Sequence, residues 1–136
     1  MSNKKVEYSV IIPTLNSENT LEELYNRLKS TLNKISKSHE IIFIDDGSTD
    51  GNWNKLKNLR EKDHKIKIIK LMRNFGQHNA IFCGFKYCEG NYIIIMDDDL
   101  QNPPEEITKL INKIQNENLM VVYGKYPNKC HGLIQN

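Results

Sequence analysis

The chain has 136 residues, 26% of them charged, and a net charge of +2 at pH 7. That is enough chain for one domain with a real core, and too little net charge to imply a nucleic-acid partner. No apolar run is long enough to span a membrane, and MSNKKVEYSV lacks the apolar region of a signal peptide.

Residues 8–12 (YSVII) read as a first strand, stopped by Pro13. A polar loop follows, and residues 20–35 then carry Leu21, Leu24, Tyr25, Leu28, Leu32 and Ile35 at helical spacing. Residues 40–44 (EIIFI) form a second strand that empties into Asp45-Asp46-Gly47-Ser48-Thr49-Asp50-Gly51. The glycine suits a turn and the Ser, Thr and Asp suit caps, but one cap does not need two acids. Trp53, Leu56 and Leu59 mark a short helix. Residues 66–72 are a third strand, followed by Arg73, Asn74, Phe75, Gly76 and Gln77. Gly76 permits a tight turn or close backbone approach. Arg73 is placed for a diphosphate or for an ion pair with Asp45 or Asp46, and His78 reads as a surface histidine. Residues 77–88 read as a helix whose apolar stripe is Ile81, Phe82, Phe85 and Cys88.

The stretch NYIIIMDDDLQNPPE carries the strongest chemistry. Residues 92–96 read as a short buried strand, and Asn102-Pro103-Pro104-Glu105 as a helix start. Asp97, Asp98 and Asp99 therefore sit at the carboxyl edge of a sheet, where open α/β sheets take ligands. In extended chain Asp97 and Asp99 point one way and Asp98 the other. Two oxygen-only ligands on one side suit a hard divalent cation, Mg2+ or Mn2+, with positions left for substrate phosphates. Ile107, Leu110, Ile111 and Ile114 face one side of the next helix, and residues 119–123 (LMVVY) form a last strand.

The order βαβαβαβαβ predicts an α/β fold, a Rossmann-like, mostly parallel sheet flanked by helices. Neither GxGxxG nor a P-loop is present. A phospho-accepting receiver domain would need its paired acids after the first strand, where Pro13 and Thr14 stand. Cys83, Cys88 and Cys130 are odd in number without CxxC spacing, so they read as free thiols in a reducing compartment. The expected location is the cytoplasm.

SVIIPTLNSENTLEEL, EIIFIDDGSTDG, LMRNFGQHNAIFCGF and IIIMDDDLQNPPEEI, in this order, resemble the family 2 glycosyltransferases, above all the dolichol- and polyprenyl-phosphate sugar synthases. The resemblance covers residues 8 to about 125, so residues 1–125 are expected to form one nucleotide-sugar-binding domain and 126–136 a tail. It implies the nucleotide half of an A-type glycosyltransferase fold and transfer of a sugar, with inversion, from a UDP- or GDP-linked donor. Polyprenyl phosphate or a glycan would be the acceptor, and Mg2+ or Mn2+ the cofactor. The implied metal ligands are Asp97, Asp99 and Gln101. Pro13, Thr14, Asn16 and Glu18 would line the base and ribose pocket. Asp45 or Asp46 would bond the base. Arg73, Gly76 and Gln77 would close over the donor, and Asp97 and Asp98 would lie against it.

Two departures from the family pattern stand out. Leu15 occupies the place of a frequent tyrosine, and Asp98 replaces a usual small residue, adding charge near the donor. Family members also continue well past residue 123 into an acceptor half that holds the catalytic base and, in many, membrane helices. The expectations are a peripheral association at the inner membrane face, self-association through an open sheet edge, and, as the alternative, a donor-binding fragment or non-catalytic nucleotide-binding module.

Overall fold

A computed structural model describes residues 6–122. Along them alternate β1 (Tyr8–Thr14), α1 (Leu21–Ile35), β2 (His39–Asp45), α2 (Asn52–Lys62), β3 (Ile66–Lys70), α3 (Gln77–Phe85), β4 (Tyr92–Ile95) and α4 (Ile107–Asn116). The strands pair in the order β3-β2-β1-β4, all parallel. The expected Rossmann-like sheet is present. The described chain forms two compact units divided after Glu105, and the sheet with α1–α3 belongs to the first.

Helices cover the central strands, so β1 and β2 are buried at all seven positions each. On one face Ile11, Ile42 and Ile44 pack with Ala80 of α3. Leu21, Leu24, Tyr25, Leu28 and Leu32 form the buried stripe of α1. At the amino end of the sheet Glu40 is buried, and its carboxylate accepts hydrogen bonds from the Ser9 hydroxyl (2.7 Å) and the Glu89 amide (2.7 Å) and pairs with Lys67 (2.7 Å).

Several expectations are corrected. The α3 helix ends at Phe85, and it packs inward through Ala80 and Gly84, leaving Phe82 and Phe85 exposed. A Cβ on Gly84 would stand 2.8 Å from Ile11 Cγ2, so the helix lies too close to the sheet for a large inward side chain. The β3 strand ends at Lys70, and Met72 is exposed. Among the described residues β4 is an edge rather than a buried strand, with Ile93 and Ile95 exposed. Asn102 does not cap the following helix: a single 3-10 turn, Pro104–Glu106, precedes α4, and the Asn102 Oδ1 atom is buried without a hydrogen bond among the described residues. Residues 119–122 are not a strand. Tyr123, Cys130 and the proposed tail lie outside the described residues.

Candidate nucleotide-sugar site

The strand order reverses at β1, whose neighbours are β2 and β4. Parallel strands diverge there at their carboxyl ends, and the loops they feed leave a crevice. A cavity of about 410 Å³ opens at this place. Its walls are Pro13, Thr14 and Leu15 after β1, Asp46 after β2, Asn74, Gly76 and Gln77 before α3, and Asp97, Asp98 and Asp99 after β4.

The β1 wall is held from behind. The Thr14 hydroxyl donates to the Ile44 carbonyl (3.1 Å) and accepts from Asn52 Nδ2 (2.9 Å). Asn16 sits at φ 51°, which asparagine tolerates, and its Oδ1 accepts the Thr49 amide at 2.8 Å. Glu18 accepts the Gly51 amide at 3.0 Å. Asn16 and Glu18 thus join this loop to the DDGSTDG turn, and neither lines the cavity.

The two acids after β2 have separate tasks. Asp46 is buried and takes the amides of Phe75 (2.8 Å) and Gly76 (3.1 Å), one on each oxygen. This carboxylate pins the loop that leads into α3. Asp45 is fully buried, accepts the Ser48 amide through Oδ1 (2.9 Å), and has no partner for Oδ2 among the described residues. Its spare acceptor lies behind the cavity wall rather than in it.

Arg73 forms no ion pair with Asp45 or Asp46. Its guanidinium lies over the Phe75 ring, 4.7 Å from the centroid, outside the cavity lining. Gly76 stands at φ 96° and opens α3. Gln77 donates from Nε2 to Asp97 Oδ1 at 2.8 Å. His78 is exposed, as expected.

The acidic turn splits by direction. Asp97 meets Gln77, while Asp98 Oδ2 accepts the Leu15 amide (3.0 Å) and the Ser17 hydroxyl. Asp99 Oδ1 accepts the Gln101 amide at 3.1 Å, a fold-back made possible by Leu100 at φ 60°. Gln101 therefore meets Asp99 through its backbone, and its side chain is not in the cavity lining. None of the three carboxylates has an ion pair among the described residues.

No group of three or more His, Cys, Asp or Glu among the described residues converges on a metal position. The donors still fit a hard cation. Asp97 and Asp99 both line the cavity, and among the described residues each keeps a carboxylate oxygen with no hydrogen bond and neither is neutralised by Lys or Arg. Two such oxygens leave most of the coordination to be supplied by phosphates and water, as Mg2+ and Mn2+ commonly accept.

The sequence reading did not find Ser17 or Asn52, while Asn74 falls in the segment 73–77 expected over the donor. Asn52 hides inside a helix as one polar residue among many, and nothing in its spacing signals the bond to Thr14. The Ser17 bond spans 81 residues, beyond any local pattern.

The family model described as glycosyl transferase family 2 matches residues 9–133. The chain is 38% identical over 121 residues to an uncharacterized glycosyltransferase, YkcC, of Bacillus subtilis, covering 89% of this chain and 37% of that one. It is 47% identical over 111 residues to the undecaprenyl-phosphate 4-deoxy-4-formamido-L-arabinose transferase of Salmonella choleraesuis, covering 81% and 33%. It thus spans about a third of the length of these curated relatives. Among solved structures, S. aureus TarS 1–349 in complex with UDP-GlcNAc superposes with a TM-score of 0.67 at 28% identity, over 82% of this chain and 31% of that one. The mannosyltransferase PcManGT of Pyrobaculum calidifontis, in complex with GDP-Man and Mn2+, superposes at 0.69 and 19% identity over 79% and 32%, a likeness of fold. The sheet is that of the A-type glycosyltransferases, and the chain belongs to glycosyl transferase family 2.

Proposed function

We propose that this chain binds the donor, a UDP- or GDP-linked sugar, of a metal-dependent, inverting transfer to polyprenyl phosphate. The observation that carries the reading is the cavity at the strand-order reversal, which joins the Pro13–Leu15 wall to Asp97 and Asp99, two acids without a cation partner. The undecaprenyl-phosphate relatives and the UDP-GlcNAc complex support the acceptor and donor classes.

Pro13, Thr14 and Leu15 offer an apolar and backbone wall to the base and ribose. Of the two acids after β2, Asp46 lines the cavity, and since each of its oxygens takes only one amide of the loop before α3, it keeps acceptor capacity for a base N–H. Gln77 orients Asp97, and Asp97 and Asp99 would hold a cation at the diphosphate. When bound, that cation supplies neutralisation of the charge that develops on a leaving nucleoside diphosphate. The site of action is the cytoplasmic membrane face, where a lipid-phosphate acceptor is reached; among the described residues no helix is long and apolar enough to cross a membrane.

Calorimetric titration of UDP, GDP and their sugars into the chain, with Mn2+ and then with EDTA, tests the donor site. Metal-dependent binding of one nucleotide is expected, weakened at least about tenfold by Asp99→Ala, the worth of one charged contact. Binding indifferent to metal and to Asp99→Ala would remove the reading. Addition of polyprenyl phosphate separates a transferase from a binding module: sugar transfer marks the first, binding alone the second.

A further inference from the structure

We propose that Asp98 is a positioning residue that latches the acidic turn to the β1 wall and takes no part in holding the cation or the diphosphate. The inference rests on the donor-site reading above and replaces the expectation that Asp98 contacts the nucleotide sugar.

Three bonds make the latch. Asp98 Oδ2 accepts the Leu15 amide at 3.0 Å and the Ser17 hydroxyl, and the Asp98 carbonyl accepts the Thr20 hydroxyl at 3.0 Å. They bridge 78 to 83 residues of sequence. Their donors run from the end of β1 to the N-cap of α1, where the Ser17 carbonyl accepts the amides of Thr20 (3.0 Å) and Leu21 (3.1 Å). The carboxylate thus meets one N–H and one O–H of the loop that leads into α1. Charge-assisted bonds of this kind are stronger than neutral ones. They also answer the repulsion within the triplet: one of three adjacent charges is compensated away from the other two.

The consequence is geometric. Leu15 lines the same cavity as Asp97 and Asp99. The latch therefore sets the spacing between the wall that would receive the base and ribose and the acids that would receive the diphosphate. A single nucleotide spans both, so a loosened latch weakens nucleotide binding without changing what the acids offer a cation.

Calorimetry on the full chain reads the two effects apart, with Mn2+ alone and with the better of UDP and GDP in Mn2+. Asp98→Ala should weaken the nucleotide about tenfold, the worth of a lost charge-assisted bond, and leave Mn2+ affinity unchanged. Asp98→Asn keeps an acceptor oxygen and should recover most of the affinity. Ser17→Ala should cost less in the Asp98→Ala background than alone, because the Asp98 partner is already gone and only the bond to the Leu15 carbonyl (3.1 Å) remains to be lost. Loss of Mn2+ binding in Asp98→Asn, as severe as in Asp99→Ala, would make Asp98 a ligand and overturn the proposal. So would unchanged nucleotide affinity in Asp98→Ala. If the wild-type chain binds no nucleotide, the donor-site reading fails on its own. Exchange of the Leu15 amide by NMR then decides the latch: faster in Asp98→Ala and slow in Asp98→Asn supports it, and no change overturns it.

Discussion

Gly47 shows how a single residue can control the site from outside it. Its φ is 81°, and a Cβ there would stand 2.4 Å from the Asn74 amide nitrogen and 2.5 Å from the Arg73 carbonyl carbon. Both are backbone atoms, so no side chain can swing away. The segment that Gly47 supports is the one Asp46 pins through Phe75 and Gly76. Gly47→Ala combines a left-handed backbone with this clash and should cost about 3 kcal/mol, among the larger effects of one substitution. Urea unfolding would measure it. Asp46→Asn keeps one acceptor but puts an NH2 group against an amide donor. It should lower stability by about 1–2 kcal/mol and weaken nucleotide binding as the Gly76 loop drifts.

At the scale of elements, α3 illustrates how packing distance overrides hydrophobicity. Phe82 and Phe85 are the largest apolar residues of the helix, yet it rests on Ala80 and Gly84. These small inward residues set the separation, and at the amino end of the helix Gln77 meets Asp97 at 2.8 Å. The added Cβ of Gly84→Ala would meet Ile11 Cγ2 at 2.8 Å and Ile44 Cδ1 at 3.0 Å, both inside a filled core. Overpacking there should destabilise by about 1–3 kcal/mol. Lifting the helix should also lengthen the Gln77–Asp97 bond, so donor affinity should fall along with the thermal midpoint. The combination is checked by calorimetry and a melting curve on one variant.

For the whole molecule, buried ionisable groups away from the cavity set the response to acid. Burial pushes the His39 imidazole below its ordinary range, and its Nε2 has no partner among the described residues. Burial by itself would raise the Glu40 and Asp63 carboxyls. Lys67, Ser9 and the Glu89 amide outweigh it for Glu40, as Lys29, Tyr25 and the Lys65 amide do for Asp63, so both end below the ordinary carboxylate range. All three shifts are downward, so in each case the unfolded chain binds the proton first as pH falls. Stability should be full above about pH 6.5 and begin to fall below it as His39 charges in the unfolded state. It should fall again below about pH 4.5 through the carboxylates. Denaturant unfolding across this range checks the two steps. His39→Gln should remove the upper one and leave the lower one.

The alternation of short β-branched runs with helical periodicity determined the parallel sheet, because side-chain spacing is a local property that the backbone converts directly into elements. The same locality placed Asp45, Asp46, Asp97, Asp98 and Asp99 at strand ends, where the loops of any such sheet converge. It could not assign their tasks. Asp46 as a loop pin, Asp98 bonded to the loop after β1 and Asp45 with a spare oxygen depend on partners 3 to 83 residues distant, fixed by how the strand ends lie against one another. The inward face of α3 and the exposure of Ile93 and Ile95 on β4 were hidden for the same reason. Hydrophobicity along a chain says which residues can be buried, and only the packed sheet decides which of them have a neighbour to be buried against.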